Sequence, residues 1–250
     1  KIMKEKFNAQ TKESRMLRYH TQTSGESLTS KQPLNNVVRV TLQALAAVLG
    51  GTQSLHTNSY DEALCLPTED AVKVALRTQQ ILAYESGVVK SVDPLGGSYY
   101  IEYLTDEIEE RVNEEIAKID GMGGALASIE AGYMQNEIRR SAYDSKLRQD
   151  RGDRVVVGLN KFADKEYLSF TVHRADPKSE EKQLQKLQTF KRSRDHGSVE
   201  ASLQDLKSVA VTDTNLMPAV LEAVKAGATN GEISNVLREV YGEYRPRVSF

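Results

Sequence analysis

Between Leu45 and Glu62 the chain changes character within a few residues. An apolar helical run, Leu45-Ala-Ala-Val-Leu49, stops at Gly50-Gly51 and gives way to a short β-prone stretch, Gln53–Thr57. That stretch releases Gln53, Ser54, His56, Asn58, Asp61 and Glu62 within ten positions. Each buried polar group needs a partner, so a strand exit of this kind is poor core material. At the mouth of a barrel the same side chains are in place to meet a ligand.

The flanking pattern places this exit in a repeated architecture. Arg15–Gln22 reads as a short β-prone run ending at Thr23-Ser-Gly25. Pro33 and Asn35-Asn36 open a helix that Val37, Val38, Leu42, Leu45, Ala46 and Leu49 continue on an apolar face. The strand follows, and then a helix over roughly residues 68–85, opened by Pro67-Thr-Glu-Asp70 and closed by Ser86-Gly87. Strand and helix alternating with tight joints is the pattern of a parallel sheet or barrel.

After Val92-Asp-Pro-Leu-Gly-Gly97 the signal is helical. Leu104, Ile108, Val112, Ile116 and Ile119 form a stripe on a charged helix that Gly121-Met-Gly-Gly124 ends. One or two helices are predicted over 125–151, a brief strand at 154–159, an exposed helix within 174–208, and two helices over 215–241. The boundary between a βα part (1–92) and a helical part (93–250) is drawn near residue 93.

Composition narrows the classes of function. A formal net charge of −2 gives no electrostatic case for nucleic acid or an anionic membrane surface, both of which need basic surface. No apolar stretch approaches the roughly 18–20 residues of a membrane span. The single Cys65 excludes an intrachain disulfide, fits a reducing compartment, and lies among apolar neighbours as a structural thiol. The four histidines, His20, His56, His173 and His196, lack metal-ligand spacing, so no protein-bound metal is predicted.

Two clusters carry chemistry. On a strand, residues i and i+2 face the same side, so His20 and Gln22 point together toward one cavity, although from the residues alone a histidine bonded to backbone at a barrel end is the plainer reading. A neutral imidazole and amide can hold a carbonyl without adding a strong acid or base. In the second cluster, Asn58 and Glu62 stand four residues apart: the carboxylate accepts two hydroxyl protons and the amide both donates and accepts, which suits a vicinal diol such as a ribose. His56 alternates with Asn58, leaving a packing role and a ligand role equally open. Asp61 is read as beginning a turn or capping a helix, and Asp93-Pro-Leu-Gly-Gly-Ser98 as a structural turn.

These segments (His20-Thr-Gln22 through Gly25, Gln53–Glu62, Asp93–Ser98 and Val156-Val-Gly-Leu-Asn-Lys161) resemble the adenosylcobalamin-dependent acyl-CoA mutases, above all the large subunit of methylmalonyl-CoA mutase and its relatives. The resemblance implies the last βα units of a TIM (β/α)8 barrel followed by a mostly helical linker region. It implies catalytic roles for His20 and Gln22 beside the thioester and the corrin ring, substrate contacts from His20, Gln53 and Ser54, and cofactor contacts from Gln22, Asn58 and Glu62. The implied activity is a radical 1,2-rearrangement of an acyl-CoA, (R)-methylmalonyl-CoA to succinyl-CoA by default, with isobutyryl, ethylmalonyl and 2-hydroxyisobutyryl versions open. The implied partners are the remaining barrel half, which would carry the selecting residues, and a cobalamin-binding domain or small subunit, in an oligomeric enzyme. That domain's Asp-x-His-x-x-Gly motif is absent here, so the chain alone is expected to be inactive. A cytoplasmic location, or the mitochondrial matrix in a eukaryote, goes with this reading. A non-catalytic helical interaction module is the competing reading for the helical part.

Overall fold

A computed structural model describes residues 1–164, 173, 174 and 176–245 of the chain. The chain divides into two units, Lys1–Ile129 with Tyr133–Arg174, and Glu130–Gly132 with Ala175–Phe250.

The first unit holds α1 (Ile2–Glu5), α2 (Lys12–Arg15), β1 (His20–Gln22), α3 (Asn35–Leu49), β2 (Ser54–His56), α4 (Glu69–Tyr84), α5 (Tyr99–Gly121), α6 (Ala125–Glu130) and α7 (Tyr133–Arg151). β1 and β2 pair in parallel, with His20 opposite Ser54, Thr21 opposite Leu55 and Gln22 opposite His56. The helix between them, α3, makes the segment a βαβ unit.

That pair is the whole sheet among the described residues, and it overturns the expectation of a TIM (β/α)8 barrel. Each strand is three residues long, and each leaves the ladder where side chains take over the backbone hydrogen bonds. The other named elements are helices. The region is therefore mainly helical with a small parallel pair, and a barrel half awaiting its complement finds no support in it. The strand predicted over 154–159 is also missing. There Asn160 accepts from Val156 N at 2.7 Å and donates to the Arg154 carbonyl at 2.7 Å and the Gln149 carbonyl at 2.9 Å. One side chain thus satisfies groups that a ladder would have used.

α3 turns a different face inward from the one its sequence suggests. Asn36, Val40 and Ala44, at i, i+4 and i+8, are buried, whereas Val38 and Leu42 are more than half exposed. α4 starts at Thr68, whose hydroxyl caps Ala71 N, with Glu69 and Asp70 in the first turn where the helix dipole favours negative charge. It buries Ala71, Ala75, Thr78 and Leu82 and packs on α3. The Asp93–Ser98 turn forms as read: Gly96 N donates to the Asp93 carbonyl at 3.1 Å, and Gly97 N reaches the Glu102 carboxylate at 2.8 Å.

The second unit holds α8 (Pro177–Ser193), α9 (His196–Ala210), α10 (Met217–Lys225) and α11 (Asn230–Tyr241), and its core, Val199, Leu206, Ala219, Ala223, Ala228 and Ile233, comes from the last three helices and the turn between α10 and α11. The predicted break between the last two helices is present. Its polar anchor is Glu232, which accepts from Arg194 Nη1 at 2.7 Å and Nη2 at 2.5 Å and completes a capping box with Thr229. The Arg194 guanidinium, aided by Thr229, holds the Glu232 carboxyl far below its ordinary range.

A carboxyl depressed in the folded state contributes stability that is present above its unfolded value, 4.5, and is lost as pH falls below it. Glu232→Gln is expected to cost roughly 1–2 kcal/mol at pH 7, with the gap to wild type closing progressively below about pH 4.5. Urea unfolding followed by circular dichroism across pH 3–7 checks it; a gap that stays constant over that range contradicts the assignment.

Candidate active-site face

The parallel register decides which side chains meet. Because paired residues on adjacent strands share a face, His20, Gln22, Ser54 and His56 lie on one side of the two-stranded sheet, and all four are exposed. Thr21 and Leu55 take the opposite, half-buried side. His20 Nδ1 and Ser54 Oγ are 2.7 Å apart across the strands, and Gln22 Nε2 donates to Asn58 Oδ1 at 2.9 Å. The two clusters read separately from the sequence thus form one face.

Asn58 is the pivot. It is 2% exposed, and Thr23 holds it twice. Asn58 N donates to Thr23 Oγ1 and Asn58 Nδ2 donates to the Thr23 carbonyl, both at 2.9 Å. Thr23 N in turn donates to the His56 carbonyl at 3.0 Å. The amide orientation is therefore fixed, with Oδ1 toward Gln22. An oxygen lone pair and one amide N–H remain by count.

Glu62 is exposed, and its carboxylate stands over Gly25, in the space a side chain at residue 25 would fill, beside the Asn58 amide. Gln53 is engaged with backbone: its Oε1 accepts from Tyr19 N at 2.7 Å, and its Nε2 donates to the Gly51 carbonyl at 2.6 Å. Its side chain fixes the β1 entrance as it stands. His56 lies at the open end, opposite Gln22.

Asp61 begins a turn, its carbonyl accepting from Leu64 N at 2.8 Å and Cys65 N at 3.1 Å. Its Oδ2 also accepts from Thr68 N at 2.9 Å and Thr68 Oγ1 at 2.8 Å, joining the turn to the α4 cap. Burial pushes its carboxyl up, but Ser59 and Thr68 beside it more than offset that and hold it below the ordinary value. Cys65 is half-buried, with its Sγ accepting from His173 N at 3.3 Å.

Three residues that shape this face were not singled out from the sequence. Thr23 is one. Asn36 is another: fully buried on α3, it donates to the Tyr60 carbonyl at 2.8 Å and the Thr29 carbonyl at 2.9 Å, pinning the loops that follow both strands. An asparagine in line with Val40 and Ala44 on a buried face was its signal, since such a group must have partners. Gly25 is the third. Among the described residues no group of three or more His, Cys, Asp or Glu is arranged to hold a metal ion.

A family model described as methylmalonyl-CoA mutase matches residues 1–243. The large subunit of 2-hydroxyisobutanoyl-CoA mutase from Aquincola tertiaricarbonis is 48% identical over 247 residues, covering 98% of this chain and 44% of the relative. Methylmalonyl-CoA mutase from Rhizobium meliloti (strain 1021) is 41% identical over 246 residues, covering 98% and 34%, and that of Escherichia coli (strain K12) is 43% identical over 239 residues, covering 95% and 34%. The chain spans less than half the length of these curated relatives. The expected nearness to methylmalonyl-CoA mutase in particular is corrected, because identity to the 2-hydroxyisobutanoyl-CoA mutase subunit is higher.

Thr23→Val removes the acceptor for the buried Asn58 N–H and is expected to cost about 1–3 kcal/mol, while Thr23→Ser, which keeps the oxygen, costs less. The chain has no tryptophan, so urea unfolding is best followed by circular dichroism. Equal losses from both variants would show that the methyl group, not the hydroxyl, carries the stability.

Proposed function

Because the chain belongs to the methylmalonyl-CoA mutase family, we propose that it forms part of an adenosylcobalamin-dependent mutase that rearranges the carbon skeleton of an acyl-CoA. The observation that carries this reading is the single open face on which His20–Ser54, Gln22–Asn58 and the Glu62 carboxylate converge. Its donor set fits the cofactor's nucleoside: a carboxylate with acceptors for two hydroxyls, next to an amide with capacity to spare.

Adenosylcobalamin, when bound, supplies the radical chemistry that permits the 1,2 shift. The residues of this chain orient and shield. When Ser54 donates to His20 Nδ1, Nε2 carries the proton and can donate to a thioester carbonyl. Gln22, fixed through Asn58, borders the same space from two residues further along the strand. Glu62 and Asn58 hold the ribose. None of the groups on this face need gain or lose a proton, which suits chemistry at carbon that a stray acid or base would divert.

For the substrate we favour a 2-hydroxyacyl-CoA, on the 48% identity to the 2-hydroxyisobutanoyl-CoA mutase subunit. Methylmalonyl-CoA is the second reading, favoured by the family's description and by relatives at 41–43% identity.

Anaerobic turnover by the assembled mutase that contains this chain, supplied with adenosylcobalamin, tests both levels. Expected is a kcat/KM for 2-hydroxyisobutyryl-CoA at least about tenfold above that for methylmalonyl-CoA, a gap of roughly 1.4 kcal/mol. The reverse preference overturns the substrate reading, and turnover of neither overturns the mutase. In the same assembly His20→Ala and Gln22→Ala are each expected to lower kcat about 10²–10³-fold with little change in melting temperature. Variants that melt early yet turn over normally would make these residues structural.

A further inference from the structure

Gly25 begins a single 3-10 turn, Gly25–Ser27, closed by Leu28 N donating to the Gly25 carbonyl at 3.0 Å. Nothing in the backbone demands glycine there, because residue 25 is not among the positions with positive φ. The demand comes from space. A Cβ at residue 25 would overlap Glu62 Oε1 and stand 3.4 Å from the carboxylate carbon and 3.3 Å from Asn58 Nδ2. Of those neighbours only one can move. The Asn58 amide is pinned by Thr23 and Gln22, whereas Glu62 is exposed. A side chain at residue 25 would therefore leave the fold in place and drive the carboxylate away from the amide.

We propose that Gly25 is a positioning residue whose missing side chain is the space in which the Glu62 carboxylate stands beside Asn58, so that the two can meet one vicinal diol. The proposal rests on the reading of Glu62 as a ribose acceptor and adds the element that fixes where that acceptor stands. Gly25 touches neither substrate nor cofactor in this scheme. It acts through Glu62.

The test is a double-mutant cycle in the assembled mutase, with Gly25→Ala, Glu62→Ala, the double variant and wild type. Each is titrated by visible absorption with adenosylcobalamin and with hydroxocobalamin, which lacks the nucleoside, and each is melted by circular dichroism. Expected for Gly25→Ala is adenosylcobalamin binding about tenfold weaker, as for loss of a hydrogen bond to a charged group, with hydroxocobalamin binding and melting temperature unchanged. In the Glu62→Ala background the glycine substitution should add nothing. A Gly25→Ala variant that binds like wild type while Glu62→Ala loses the nucleoside form overturns the proposal and leaves the reading of Glu62 intact. An undiminished loss in the Glu62→Ala background, or equal weakening of both cofactor forms with early melting, overturns it as well. If Glu62→Ala itself fails to separate the two cofactor forms, the reading beneath the proposal fails first.

Discussion

The open face depends on one buried contact, the double hold of Thr23 on Asn58. Two chains of hydrogen bonds, one from each strand, end at this pair: Thr23 N takes the His56 carbonyl, and Asn58 gives both its backbone and its side-chain N–H to Thr23. With strands only three residues long, the ladder alone is too short to fix a register against a slip that would move every side chain to the other face. The Thr23–Asn58 contact extends the pairing by side-chain chemistry. It is what keeps His20 against Ser54 and Gln22 within reach of the amide.

Around that contact the helices supply alignment more than bulk. Asn36 ties the loops after both strands to α3, and Arg39 runs from Asn36 Oδ1 to the Val157 carbonyl, both at 2.7 Å. Gln79 reaches back from α4 to the Leu55 carbonyl at 3.1 Å, and Asp61 ties its turn to the start of the same helix. The contacts from Asn36 to Tyr60, Arg39 to Val157 and Gln79 to Leu55 each join residues distant in sequence, so together they tie loops and helices to the strands. Here they convert a marginal pair of strands into a defined edge with an open polar side.

The helices were legible because their signals are local. Thr68 with Glu69 and Asp70 announces α4, and the Leu104–Ile119 stripe announces α5. The strands beside Gln53 and His20 were legible as short β runs, and period two placed His20 with Gln22. The alternation of strand and helix admits a parallel sheet or a barrel, and the likeness to the mutases points to the barrel; strands as short as these, with one partner each, do not build it. The inward face of α3 is hidden in the sequence because Val38 and Leu42 look like core, whereas Asn36, buried as completely as Ala44, looks like surface. A polar residue's burial depends on partners distant in sequence, here the Thr29 and Tyr60 carbonyls, which periodicity does not reveal. Gly25 carries no signal of its own in the sequence, since the carboxylate above it comes from 37 positions further along the chain.

The division between a buried amide that braces the fold as well as binding and an exposed carboxylate that only binds is open to direct measurement through the unfolding free energies of Asn58→Ala and Glu62→Ala without ligand. Asn58→Ala leaves the Thr23 carbonyl and the Gln22 amide without their partner and is expected to cost about 2 kcal/mol or more. Glu62→Ala, at an exposed position, is expected to fall within about 0.5 kcal/mol of wild type. Equal losses, or the larger loss from Glu62→Ala, would contradict the division and the picture of the site built on it.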